Sequence, residues 1–481
     1  MNTKMIRYIL AKMLGVEAAL LLLPAFVGVL YKESSAICFL IPSVILLVIY
    51  MAGGRKKPEN ATIYGKEGMV VVASAWILWS LFGALPFQLS GSIPNYIDAF
   101  FETVSGFTTT GSSILRDVEV LPQCMHFWRS FTHWVGGMGV LVFVMVLTSL
   151  DKKNSMYLIR AEVPGPEKDK LVPKTMSTAR ILYGMYFGLT VIEVILLVLG
   201  GMNLFDSLIH SFGTAGTGGF SNYADSVGHF NSAYIDGVIT IFMILFGVNF
   251  NLYFFLLLKD WKPVWKNEEL RAYLGIIVAA IIIITVNTVG QYANLLESFR
   301  YAAFQVGTII TTTGYATTDY NVWPMLSQCI LIVLMIIGAC ASSTGGGVKV
   351  SRFMIVVKSI KREIKQMVHP KSVNLIRING KKLGTDTVRN VFVYLMAYAG
   401  IAGVSVLIVS INNYDFATTF SSVIATLNNI GPGIGAVGPK GNFADFSPLS
   451  KLVFCFDMLA GRLEIFPFLM LFTATSWRKK F

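Results

Sequence analysis

Long apolar runs alternate with short polar stretches along this chain, and the alternation has a slower rhythm of its own. Two runs, about Ile9–Leu30 and Ile37–Met51, are separated only by Tyr31–Ser35 and predict an opening hairpin of two membrane spans. From Gly68 a fixed order then returns four times: a long apolar run, a short half-apolar segment, a loop rich in glycine and small polar residues, and another long run. The long runs lie near Gly68–Leu89 and Phe127–Leu150, Ile181–Gly201 and Ile235–Leu258, Ala272–Val289 and from Pro324, and Val391–Ile411 and Leu449–Ser476. A helix needs ~20 residues to cross a hydrocarbon core, so these runs predict about ten spans. The short segments near Ile97–Gly106, Leu204–Phe212, Leu295–Val306 and Phe416–Leu427 are too brief to cross. Non-helical backbone at membrane depth survives only where protein covers it or it lines a watery cavity, so the four loops are expected to face one shared axis.

The loops themselves are related. FTTTG ends at Gly111, TAGTGG at Gly219, TIITTTG at Gly314, and TLNNIGPG at Gly433. Aligned on these glycines, the copies stand about 95 to 120 residues apart, an internal repeat on the scale of a supersecondary unit. The expected units are 67–179, 180–270, 271–388 and 389–481, after an opening segment 1–66. Glycine reaches dihedrals closed to other residues, so a glycine in such a loop can turn carbonyl oxygens toward a bare cation. The neighbouring groups are carbonyls and threonine hydroxyls rather than carboxylates, which suits a weakly hydrated monovalent ion better than a tight divalent site. Ser112, Phe220, Tyr315 and Ile434 follow the aligned glycines and differ in kind, so any oxygen rings beyond them cannot be equivalent.

Composition agrees with the pattern. Apolar residues make up 54%, charged residues 14%, and mean hydropathy is +0.63, values that exclude an ordinary soluble domain. A net charge of +12 would suggest nucleic acid in a soluble chain. Here the basic blocks Gly53–Lys66, Asp151–Arg180, Lys259–Arg271, Lys358–Arg389 and the tail Arg478–Lys480 occupy alternate connections, as in cytoplasmic loops of membrane proteins. Both termini are therefore expected in the cytoplasm, with an even number of spans. The apolar run after the basic start continues well past Leu20 without a small-x-small cleavage site, so it predicts an uncleaved first span. Five scattered cysteines without a CxxC pair argue against a disulfide framework or zinc site.

Chemistry elsewhere is sparse. The third unit's second run breaks at Gly338–Lys349, GACASSTGGGVK, which does not match GxxxxGK[ST] and follows no strand. GIGAVG at Gly433–Gly438 fits GxGxxG literally but lies before a membrane span without a βαβ pattern. His126, His133, His210 and His229 have no metal spacing, and no nucleophile–base set appears, so an enzyme has no residues to stand on. Asp98, Asp206, Glu297 and Asp415 lie near the starts of the short segments, where an acid suits either an acidic vestibule or helix capping. Glu17 and Glu193 lie inside spans, where helix–helix hydrogen bonding is at least as good a reading as function. Arg462 lies in the last span and either faces a cavity or pairs with Glu464 or Asp457.

From about Gly68 onward, these loops and breaks resemble the Trk/Ktr/HKT superfamily of cation transporters, and the extra opening hairpin resembles its TrkH branch. That resemblance implies an all-α polytopic membrane protein of four pseudo-symmetric span–pore-loop–span units around a central pore. It implies a potassium filter at Thr109, Thr110 and Gly111, Thr217, Gly218 and Gly219, Thr312, Thr313 and Gly314, and Asn429, Ile430, Gly431 and Gly433. It implies an intramembrane gating loop comprising Gly338, Ala341, Ser342, Ser343, Thr344, Gly345, Gly346, Gly347 and Lys349, with Arg462 as an electrostatic barrier below the filter. It further implies a homodimer in the plasma membrane, K+ as transported ion with no organic cofactor, and a cytosolic nucleotide-binding regulatory subunit of TrkA type. A sodium- or proton-coupled symporter is the rival within transport; a membrane enzyme or potassium receptor would be a different class.

Overall fold

The computed structural model describes residues 1–60, 62–139, 175–372 and 374–473. Residues 140–150 of the expected span Phe127–Leu150, nearly all of the basic loop before Arg180, and the tail from 474 lie outside the described residues. The regular elements among the described residues are almost all helices. The opening hairpin is α1 (Thr3–Leu20), α2 (Leu22–Leu30) and α3 (Ile37–Gly53). Next come α4 (Gly65–Gly83), α5 (Leu85–Leu89), α6 (Tyr96–Phe107) and α7 (Gln123–Gly137), followed by α8 (Thr175–Leu199), α9 (Leu204–Gly216), α10 (Ala233–Phe246), α11 (Phe250–Leu257) and α12 (Lys262–Lys266). Then follow α13 (Glu268–Thr288), α14 (Leu295–Ile310), α15 (Met325–Ile337) and α16 (Val350–Val368). A small hairpin, β1 (Arg377–Ile378) and β2 (Lys381–Lys382), precedes α17 (Thr385–Val409), α18 (Phe416–Leu427), α19 (Pro448–Arg462) and α20 (Phe466–Leu469).

Six described helical segments are long and apolar enough to cross a membrane alone, or seven when the bent pair α10–α11 counts as one. The expected ten also counts α7, α15 and α19, which run only 15, 13 and 15 residues before a break or the edge of the described region.

Two expected spans depart from a single long helix at sites that no glycine-rich stretch marks. Ile235–Leu258 bends by 94° between α10 and α11, at Gly247–Asn249. Asn249 caps the second piece, its side chain accepting from Asn251 N–H at 2.9 Å. The last span, Leu449–Ser476, stops at Arg462. Glu464 and Ile465 follow with φ of 58° and 63°, and Pro467 opens α20, where its missing N–H costs nothing. A third break, between α15 and α16, falls where the glycines of the GACASSTGGGVK stretch predict it.

Lipid offers little hydrophobic drive for helix association, so shape packing carries much of the assembly. The largest core joins the opening hairpin, α4–α7 and α17–α19. Within it Trp79 meets Phe107 edge-on at 5.5 Å, Phe107 meets Trp128 at 5.9 Å, and Phe101 meets Phe454 at 6.5 Å. Such pairs contribute about 0.5–1.5 kcal/mol each beyond burial. A second core around Tyr273, Ile284, Ile309 and Leu331 joins α13–α15 and reaches Ile424 and Ile430 of the fourth repeat.

Candidate functional site

Helices α6, α9, α14 and α18 start and stop alike. Asn95, Asn203, Asn294 and Asp415 cap their first turns with side-chain oxygens. At the other end, Thr109, Thr217, Thr312 and Asn429 take left-handed φ of 56°, 56°, 60° and 55°. Each is followed by a residue whose N–H reaches back five positions: Thr110 to Ser105 O at 2.8 Å, Gly218 to Gly213 O at 2.8 Å, Thr313 to Thr308 O at 2.8 Å, and Ile430 to Ala425 O at 2.9 Å. This is a Schellman-type termination, here built largely without glycine in the left-handed position. It is one local solution used four times.

The next residue in each loop is a glycine with positive φ: Gly111 at 79°, Gly219 at 75°, Gly314 at 85° and Gly431 at 99°. These four pack in a cycle. A Cβ on Gly111 would lie 1.8 Å from Gly218 O, on Gly219 2.1 Å from Thr313 O, on Gly314 2.0 Å from Ile430 O, and on Gly431 2.8 Å from Thr110 O. Each glycine thus receives the carbonyl of the next loop, and the fourth returns to the first. Asn429 closes the seam by donating to Thr110 Oγ1 at 2.9 Å.

The alignment on Gly433 is therefore corrected to Gly431. Gly433 sits outside the cycle: its N–H donates to Val437 O at 2.7 Å, and its carbonyl accepts from the Tyr320 hydroxyl at 2.9 Å. The extra Pro432-Gly433 misled the sequence alignment, because two glycines were available and only the cap geometry chooses between them. Pro432, not Ile434, then follows the fourth ring glycine. Beyond the ring, the four loops diverge. Ser112 donates to Gly431 O at 3.1 Å, Phe220 N–H to His133 Nε2 at 3.3 Å, and the Tyr315 hydroxyl to His210 O at 2.9 Å.

On one side of the ring lies a mouth bordered by all four glycines and by Arg116, Arg129 and Lys440. Among the described residues no carboxylate borders it, and Asp98, Asp206, Glu297 and Asp415 do not line it as an acidic vestibule. Arg129, nearly fully buried, pairs with Glu102 at 2.7 Å and lies over the Phe220 ring at 4.0 Å; Arg116 pairs with Asp445 at 2.5 Å. Among the four acids, Asp98 binds Lys451 at 2.7 Å. Asp206 accepts from Asn222 at 2.7 Å and from the Tyr223 hydroxyl at 2.8 Å. Burial, then Asp206, pushes the Tyr223 phenol up to about 12. Glu297 accepts from Ala293 N–H at 3.1 Å, and only Asp415 is itself a cap, its carboxyl held below its ordinary range by the Thr418 hydroxyl. The sequence signal for the three asparagine caps is Asn-x-x-acid, at Asn95–Asp98, Asn203–Asp206 and Asn294–Glu297.

On the other side, the stretch from Gly338 to Lys349 is non-helical, with φ of 72° at Gly338, 56° at Ser342, 75° at Gly347 and 82° at Lys349. It docks on the α10–α11 break. Cys340 N–H donates to Gly247 O at 3.1 Å, Phe250 N–H to Ser342 O at 3.1 Å, and the Thr344 hydroxyl to Phe246 O at 3.1 Å. It also touches the ring. Gly346 N–H donates to Thr312 Oγ1 at 2.6 Å and Gly347 N–H to Asn428 O at 3.0 Å. Gly345 and Gly346 must be glycine, since Cβ atoms there would meet Thr311 O at 2.8 Å and Asn428 O at 2.2 Å. Ser343 donates to Cys340 O at 2.7 Å, Ala341 is bound through its N–H, and the Lys349 ammonium donates to Gly345 O. Arg462 clasps the stretch, donating to Thr344 O at 2.8 Å and to Gly136 O and Gly137 O at 2.6 and 2.8 Å. Asp457 accepts instead from Ser405 at 2.8 Å, and Glu464 pairs with Arg352. Glu17 and Glu193 are fully buried.

Residues 41–479 match the family described as TrkH, cation transport protein. The chain is 36% identical over 466 residues to the Trk system potassium uptake protein TrkH of Escherichia coli K12, covering 95% of this chain and 96% of that one. It is 35% identical to TrkH of Vibrio parahaemolyticus, covering 99% and 100%, and 34% identical to TrkG of Escherichia coli K12, covering 95% and 94%. The crystal structure of the potassium transporter TrkH from Vibrio parahaemolyticus superposes with a TM-score of 0.88 at 32% identity, covering 99% of this chain and 100% of that one.

Proposed function

The chain belongs to the TrkH family of cation transport proteins, and on that premise we propose that it takes up potassium across the cytoplasmic membrane through the ring of four loops. It is a transporter and not an enzyme. The observation that carries the reading is the cyclic packing of Gly111, Gly219, Gly314 and Gly431, each against the carbonyl of the next loop. Four helices end at this ring and aim the partly negative ends of their dipoles at it, which favours a cation there. Carbonyl and threonine oxygens replace part of the ion's hydration shell, and K+ is the substrate rather than a resident cofactor. Thr109 Oγ1, buried and without a hydrogen-bond partner among the described residues, is one oxygen available to it.

The carboxylates nearest the mouth are engaged, Glu102 with Arg129 and Asp445 with Arg116, so little unpaired negative charge is offered to an entering cation. Selectivity rests instead on the fixed oxygens of the ring. Below the ring, the stretch Gly338–Lys349 is the gate. Arg462 holds it against α7 and places a positive charge beside the path, moderating cation flow. The protein works as a homodimer with both termini in the cytoplasm and with a nucleotide-binding regulatory subunit, whose docking surface is formed by the basic connections. Rubidium influx into liposomes holding only this chain tests the reading. Potassium should compete with rubidium better than sodium does, and Gly314→Ser should weaken that preference. Influx that requires a sodium or proton gradient would replace the channel-like reading with the coupled one.

A further inference from the structure

Helix α16 begins without a local cap. Its N-cap residue is Lys349, whose ammonium has no acceptor oxygen to offer the first-turn N–H groups and opposes the positive end of the helix dipole. The acceptor comes from another helix. Glu269, in the first turn of α13 and only 6% exposed, accepts from Ser351 N–H at 3.1 Å through Oε1. The same oxygen accepts from Ala341 N–H at 2.8 Å. Ala341 and Ser351 flank most of the irregular stretch, so one carboxylate ties its beginning to the helix that follows it. Charge-assisted bonds of this kind are about twice as strong as neutral ones.

Glu268 faces the other way. Its carboxylate pairs with Lys358 of α16 and accepts from Asn379 N–H at 2.9 Å, while its own N–H donates to Asn379 Oδ1 at 2.8 Å. Asn379, with φ of 50°, and Gly380, with φ of 76°, form the two-residue turn of the β1–β2 hairpin. Lys358 also donates to Arg377 O at 2.6 Å, and Ile378 packs with Ile355 of α16 and with Val388 and Val391 of α17. Two consecutive acids therefore hold the hairpin on one side and the loop on the other.

We propose that Glu268–Glu269 is a coupling element for the stretch Gly338–Lys349: Glu269 is a positioning residue that latches the stretch in its present form, and Glu268 makes the latch answer to the β1–β2 hairpin. The inference deepens the reading of this stretch as a gate and rests on it. A force on the hairpin, transmitted through Asn379 and Lys358, moves the start of α13 and withdraws the acceptor from both loop ends at once.

The test uses the full chain in liposomes without any partner. Glu269→Ala should raise rubidium influx about tenfold, the loss expected for a charged hydrogen-bond acceptor, with potassium-over-sodium preference unchanged. Glu269→Gln, which keeps the shape, and Lys358→Met, which frees the hairpin, should give smaller rises. In a chain lacking residues 341–346, Glu269→Ala should add nothing, because the latch has nothing to hold. A second readout does not need transport: a thiol reagent should modify Ser343→Cys faster in the Glu269→Ala background, read by mass spectrometry at that residue. Unchanged labelling and flux would overturn the latch, as would a flux increase that persists in the deleted chain. Lower thermal stability without faster labelling would also overturn it, reducing Glu269 to a cap. Faster labelling with no selective flux from any chain, the parent included, would keep the latch and remove the transport reading beneath it.

Discussion

The ring of four loops and the stretch beneath it are both irregular backbone among helices, yet they are specified in opposite ways. The ring is held from within. Each loop ends its own helix by the same left-handed turn and the same five-residue backbone bond, and only then meets its neighbours. The stretch Gly338–Lys349 is held from outside, by Glu269 of α13, Phe246 and Gly247 at the end of α10, Thr312 of the ring and Arg462 of α19. A local turn has one low-energy form and resists change. A loop held by partners on four other elements can change form when one partner moves, which is what a gate requires.

The sharpest break of this contrast is a side chain in the ring. Gly219→Ala puts a carbon 2.1 Å from Thr313 O, and the resulting overpacking, typically 1–3 kcal/mol, has no flexible neighbour to absorb it. Potassium-over-sodium preference should collapse in competitive flux, with influx falling as well. Preference equal to the parent's would show that the ring does not select. Next in size, removing residues 341–346 should raise influx severalfold with a much smaller change in preference, since the one ring hydrogen bond it takes away is that of Gly346 N–H to Thr312 Oγ1.

The register offers a finer comparison. Gly431→Ala should alter selectivity, whereas Gly433→Ala, which crowds Ser421 and Val437, should lower thermal stability and leave the ion preference alone. Equal effects on preference would restore the original alignment. Because Ser112, Phe220 and Tyr315 make three different sets of contacts beyond the ring, and Pro432 has no N–H to match them, few oxygen sites can be complete there. Measurable sodium influx is therefore expected when potassium is absent.

The smallest effect tests the helix starts. Asp415→Ala removes the cap of α18 and, at an exposed site, should cost about 1 kcal/mol or less at neutral pH. The Asp415 carboxyl is held below its ordinary value by Thr418, so its contribution is present above the unfolded value and lost as pH falls through the folded one. The parent and variant melting temperatures should converge in acid; a gap that persists there would mean that the cap does not work through its charge.

Much of this was legible in the residues alone. The spans follow from apolar length, because a hydrocarbon core sets it. The four loops follow from repetition of small polar residues with glycine, and the break after Ile337 follows from Gly338 and Gly345–Gly347, which weaken a helix wherever they stand. Contacts between distant segments were not legible. Which of Gly431 and Gly433 enters the ring depends on the carbonyl of Thr110, more than three hundred positions away. The bend at Gly247–Asn249 is stable because Cys340 and Thr344 take up the backbone groups it frees, and the cap of α16 is a glutamate on another helix. Local pattern determines what each segment can be, since propensity and apolar length act within a few turns. Only the folded chain decides which freed backbone group meets which partner, because that pairing depends on proximity in space.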